Sequence, residues 1–107
     1  MQDVVLIYTT WPDAETADVV AAEAVERRLA ACANRLAPMR STYRWEGKVE
    51  HGDETPMLFK TVAATAEALK AFIVDRHPHD LPCVVALPIS ASGSHIGFLE
   101  WIAAESG

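Results

Sequence analysis

The chain has 107 residues, with nine basic against fifteen acidic side chains, a net charge of −6 and a pI near 5.0. That balance opposes attraction to phosphate backbones and anionic lipid, so neither nucleic acid nor a membrane surface is expected as a partner, and a hydrophobic share of 50% excludes a disordered chain. The length suits one domain over residues 1–107, able to bury roughly two thirds of the surface its unfolded form exposes.

The opening Met1-Gln2-Asp3 carries no basic region, and the apolar run from Val4 to Tyr8 is shorter than a signal-peptide core or a membrane span. The expectation is a mature chain that starts at Met1. Asp3 to Thr10 is nearly continuous in apolar and β-branched residues, the pattern of a central strand buried on both faces. Trp11-Pro12 ends it, and Asp13 is placed to cap a helix, with Glu15 in its first turn and Arg27 and Arg28 in its last. Ala17, Val20, Ala21, Ala24, Val25, Leu29 and Cys32 advance in steps of three and four, which predicts a narrow inward stripe of small residues.

After Asn34 the chain reads as extended through Met39 to Trp45, turns at Glu46-Gly47 and returns as a strand over about Glu54–Val62, a long hairpin between the second and third strands. Pro56 lacks a backbone donor and is tolerated at an edge or bulge, so the returning strand is expected to start irregularly. A second helix is predicted from a Thr65 cap to the stop at His77-Pro78, with Leu69, Phe72 and Ile73 inward. Cys83–Leu87 reads as a buried fourth strand ended by Pro88. A short last helix follows Gly93-Ser94, with Phe98, Trp101 and Ile102 on its apolar side. The order β, α, β, β, α, β plus a terminal helix is the α+β ferredoxin-like βαββαβ sandwich, in which two helices cover one face of a four-stranded antiparallel sheet.

Such a sheet leaves its other face bare, and a long hairpin invites pairing with another chain, so a closed homo-oligomer is expected. In the segment Ser41 to Lys48, alternation puts Tyr43 and Trp45 on one face of a strand, and these aromatics are candidates for a subunit boundary. Lys60, between Phe59 and Thr61, could reach a cleft near them, although strand lysines often guard an exposed edge.

For chemistry, His77, His79 and Cys83 supply two imidazoles and a thiol within one short stretch, ligand types that suit copper or zinc. The plainer alternatives are that His77 ends a helix and that Cys83 is a small hydrophobe opening a strand. Cys32 has no base beside it in sequence and reads as core. Cys32 and Cys83 stand apart rather than as a Cys-x-x-Cys pair, which favours a reducing, cytoplasmic compartment. Glu46, Glu50, Asp53 and Glu54 read as a solvated acidic loop, and His51 and His95 as exposed loop histidines. There is no Gly-rich phosphate loop, no Ser/His/Asp order and no paired helical carboxylates, so no enzyme is expected and no cofactor is required.

Leu29-Ala30-Ala31-Cys32-Ala33-Asn34, then Ser41, Tyr43, Trp45 and Gly47, then Lys60-Thr61, His77-Pro78 with Pro82, and Trp101-Ile102 together resemble the CutA family of divalent-cation tolerance proteins, in order and over nearly the whole chain. The resemblance implies a homotrimer of ferredoxin-like subunits, similar in architecture to PII-type signalling proteins. It also implies a role in metal homeostasis with divalent metal ions such as copper as partners; in such an assembly Tyr43, Trp45, Lys60 and Trp101 are the candidates for a subunit interface or cleft. The alternative is a PII-like signalling or scaffold trimer whose intersubunit clefts take a small molecule or a partner protein. Two departures stand out. Cys83 replaces the glutamate that the family generally carries after Pro82, and Thr9 stands where some relatives have a metal-linked cysteine.

Overall fold

The computed structural model describes residues 3–107, and the expected start at Met1 lies outside them. Val4–Trp11 forms β1, Ala14–Glu26 α1, Cys32–Arg35 β2, Met39–Trp45 β3, Lys48–Val62 β4, Ala63–Arg76 α2, Val84–Pro88 β5 and Ile96–Glu105 α3. The strands form an antiparallel sheet in the order β2-β4-β1-β5, with β3 continuing along β4 beyond β2. This is the ferredoxin-like arrangement, its second strand split in two.

The split explains how Pro56 fits inside β4, which runs unbroken for 15 residues instead of starting irregularly near Glu54. The Pro56 carbonyl accepts the Leu36 N–H at 3.0 Å. Since a strand residue points its nitrogen and carbonyl to the same side, the missing N–H of Pro56 faces the gap between β2 and β3, where no ladder partner is lost.

Helix α1 begins as expected, with the Asp13 carboxylate accepting the Thr16 N–H at 2.7 Å, and Ala17, Val20, Ala21 and Ala24 are its buried stripe. It stops at Glu26, earlier than the periodicity predicts, leaving Val25 38% exposed and Cys32 on a strand. The stop is a Schellman closure: Arg28 takes φ 62°, its N–H bonds the Val25 carbonyl and the Leu29 N–H bonds the Ala24 carbonyl. A residue other than glycine pays roughly 1–2 kcal/mol for that conformation. The Arg28 guanidinium offsets part of this by donating to the carbonyls of Ala104 at 2.6 Å and Gly107 at 3.0 Å, which ties the end of α3 to the α1–β2 turn.

Helix α2 starts two residues before the expected Thr65 cap, directly from β4, where the Ala63 N–H is taken by the Asp3 carbonyl at 2.8 Å. Leu69, Phe72 and Ile73 point inward as predicted. With the α1 stripe they cover Ile7, Trp11, Met57 and Phe59 on one face of the sheet. Each large apolar side chain so buried contributes about 1.5–3 kcal/mol.

The opposite face is only partly covered. Leu99 and Ile102 of α3 pack on Val4 and Ala31 at one end, while Val85 and Leu87 of β5 remain 49% and 43% exposed. By register this open face also carries Tyr8 opposite Leu58 and Leu6 opposite Lys60, and it continues onto the hairpin as Met39, Ser41, Tyr43 and Trp45.

Candidate functional site: a cleft between the hairpin and the loop after α2

The loop takes its shape from a proline. Preceding Pro78, His77 is driven to extended backbone, φ −72° and ψ 136°, which ends α2 and turns the imidazole back beneath it. The ring stacks on Trp11 with centroids 4.4 Å apart. Its Nε2 lies 2.7 Å from the Thr10 carbonyl, and its Nδ1 accepts the His79 N–H at 3.1 Å. Because a backbone N–H can only donate and a carbonyl can only accept, the proton sits on Nε2 and both ring nitrogens are engaged.

A second relay lies beneath. The Trp11 indole N–H donates to Thr9 Oγ1 at 2.7 Å, and that hydroxyl donates to the Met57 carbonyl at 2.7 Å. Thr9 is wholly buried, so the position where some relatives carry a metal-linked cysteine serves the core here.

Beside these buried groups opens a cleft of about 890 Å³. Tyr8 and Thr10 of β1 form its floor, Met39, Ser41, Tyr43, Trp45 and Glu54 of the hairpin one wall, and Pro78 to Cys83 the other. Glu54 is held by the Ser41 hydroxyl, which donates to its Oε2. The Tyr8 hydroxyl points at Met39 Sδ, 3.7 Å away. Burial pushes the Tyr8 phenol above its usual pKa, and its neighbours Cys83 and Glu54 push it further the same way.

The predicted site residues therefore separate. His79 and Cys83 line the cleft with Tyr43 and Trp45, whereas His77 is a structural strut beneath it. Among the described residues no three His, Cys, Asp or Glu side chains gather closely enough to hold a metal ion. Among the described residues one subunit thus offers His79 and Cys83 on this wall without a third His, Cys, Asp or Glu gathered beside them.

Lys60 lies twelve residues along β4 from Lys48, the register partner of Trp45, which in extended chain is about 40 Å. Within a subunit it does not reach the aromatics of the hairpin. It donates to Asn34 Oδ1 at 2.6 Å and sits 5.6 Å from the Phe98 ring, which stacks on Trp101. Cys32 is only partly buried, opposite Lys60 on the open face. His51 lies on β4 beside Thr42, and His95 caps α3 by accepting the Phe98 N–H at 3.1 Å; both are exposed, as expected.

Sequence reasoning missed Tyr8, Thr10 and Asp80 as cleft residues and gave Glu54 to a solvated loop. The signal for Tyr8 and Thr10 was the alternation of β1, which sets them on the face away from Ile7 and Trp11 once that face is known to be the covered one.

Fold and cleft together define a class: a small ferredoxin-like protein with a partly uncovered sheet face, a projecting hairpin and one large cleft at the hairpin's base. The sequence pattern of the CutA1 divalent ion tolerance protein family matches residues 5–105, and the chain belongs to that family. It is 38% identical over 107 residues to the divalent-cation tolerance protein CutA of Thermus thermophilus, spanning all of both chains. It is 39% identical over 100 residues to that of Pectobacterium atrosepticum, covering 94% of this chain and 89% of that one. The human protein CutA is 35% identical, and there the match spans only 52% of that protein's length. The crystal structure of CutA from Xylella fastidiosa superposes with a TM-score of 0.92 at 37% identity, covering 98% of this chain and 99% of that one. That of the Thermus thermophilus protein gives 0.89 at 37%, covering all of both.

Proposed function

We propose that this chain works in divalent-cation tolerance as a cytoplasmic homotrimer that captures a soft ion, copper or zinc, at a subunit boundary. His79 and Cys83 supply two ligands, and the neighbouring copy supplies the rest. The observation that carries this reading is the placement of His79 and Cys83 on one cleft wall, facing the hairpin side chains Tyr43 and Trp45, with His77 withdrawn from reach. The partly exposed Val85 and Leu87 support a trimer that covers the open face.

Calorimetric titration of the trimer with zinc and copper tests it. Saturable uptake in the parent protein that is lost in a His79→Ala, Cys83→Ser double variant is the expected result. Uptake no greater than that of a control protein of equal charge, or unchanged in the double variant, overturns it. A light-scattering mass near one chain, 11.7 kDa, instead of about three times that value, overturns the trimer.

A second reading, a PII-like scaffold whose clefts take a small molecule, is favoured by size. The cleft of about 890 Å³ lies in the range of small-molecule pockets and far exceeds the roughly 30 Å³ of a water molecule.

A further inference from the structure

We propose that the cleft is a receptor for an organic cation, an alkylated ammonium or amine. The inference rests on the small-molecule reading and is independent of metal capture by His79 and Cys83.

Charge decides the sign of the ligand. Glu54 and Asp80 line the cleft, and none of the chain's nine Lys and Arg residues does. The nearest in register to the cleft aromatics is Lys48, opposite Trp45 at the hairpin tip and outside the lining. An anion would meet two carboxylates with no counter-charge, whereas a cation offsets both.

Surface chemistry decides the kind of cation. Tight capture of a bare inorganic ion by one subunit would call on converging His, Cys, Asp or Glu side chains, and the described residues bring no three of these together. What the cleft offers instead is the rings of Tyr8, Tyr43 and Trp45, whose faces attract ammonium groups and whose area suits carbon-bearing ones.

Directional groups are present as well. Glu54 spends Oε2 on Ser41 and keeps Oε1. Thr10 is 7% exposed, lines the cleft and makes no side-chain hydrogen bond among the described residues, while no fully buried polar side-chain atom there lacks a partner. Its hydroxyl is therefore accessible, on a residue that lines the cleft, and free to accept a hydrogen bond.

The test is titration of the intact oligomer with tetramethylammonium chloride, in chelator and at constant ionic strength, followed by NMR of the tryptophan indoles. tert-Butanol serves as the neutral control of similar size. Saturable shifts of the Trp45 indole with the ammonium and none with the alcohol are expected. Glu54→Gln, a polar surface change that keeps an acceptor for Ser41, should weaken binding about tenfold. Trp45→Leu should weaken it about fivefold to thirtyfold. Zinc is titrated separately into the same protein without chelator, so a protein that takes the ammonium but no zinc refutes the metal reading alone. Equal responses to ammonium and alcohol, or undiminished affinity in Glu54→Gln, overturn the proposal. So does a Trp45 indole that no ammonium moves and that the oligomer shields from acrylamide, which would assign the cleft to the neighbouring copy.

Discussion

Replacing His77 by alanine separates a strut from a ligand. The residue is 8% exposed, and its ring bridges the Thr10 carbonyl and the His79 N–H and stacks on Trp11 at 4.4 Å. Stranding the Thr10 carbonyl costs about 1–3 kcal/mol, and losing the aromatic contact about 0.5–1.5 kcal/mol. Allowing for partial collapse around the vacated volume, the total loss is about 3 kcal/mol, a large share of the stability of a domain this size. Urea unfolding followed by far-ultraviolet circular dichroism, at one protein concentration so that assembly does not shift the midpoint, reads it directly. The midpoint should fall with an unchanged slope, the near-ultraviolet signal of Trp11 should weaken, and zinc uptake measured well below the transition should persist. A loss under about 1 kcal/mol together with abolished zinc uptake would refute the reasoning, because the ring would then be a ligand that the packing can spare.

Two further predictions concern the ends of helices. The carboxyl of Asp13 is held below its usual pKa, first by the backbone N–H of Thr16. A depressed folded-state pKa means the stabilisation is present above the unfolded value, 3.8, and fades as pH falls through the folded one. Asp13→Ala should therefore lower the urea midpoint at neutral pH with a gap that closes in acid, and Asp13→Asn should keep the cap without that pH dependence. For Arg28, alanine removes the anchors on Ala104 and Gly107 and keeps the φ 62° cost, whereas glycine removes both. Arg28→Ala should be less stable than Arg28→Gly by about 1 kcal/mol, and hydrogen exchange in α3 should rise in both.

Much of the fold was legible because periodicity reports burial. The strand β1, the first part of the α1 stripe from Ala17 to Ala24, and the inward set of α2 sit where the pattern put them, although only one face of β1 is fully covered. The misreadings occurred where backbone geometry overrode pattern. Arg28, Leu29 and the alanines after them are good helix formers, so nothing in their chemistry announces that Arg28 turns left-handed and sends Cys32 into a strand. Pro56 reads as an interruption until the split between β2 and β3 is known, since the gap it faces belongs to another part of the chain. At the site, His79, Cys83, Tyr43 and Trp45 do meet around one cleft. His77 could not be told from its neighbours, because its partners are a carbonyl and an indole far away in sequence.

The unbroken β4 sets the reach of the molecule. Fifteen residues at about 3.3 Å each amount to about 50 Å, close to the longest dimension of 45 Å once twist is allowed for. The strand acts as a ruler, with the ferredoxin-like body at one end and the hairpin tip at the other. Because side chains alternate, that ruler can be lengthened or shortened only in steps of two residues on each arm of the hairpin. A single-residue change would turn Tyr43 and Trp45 to the opposite face and leave the body of the fold intact.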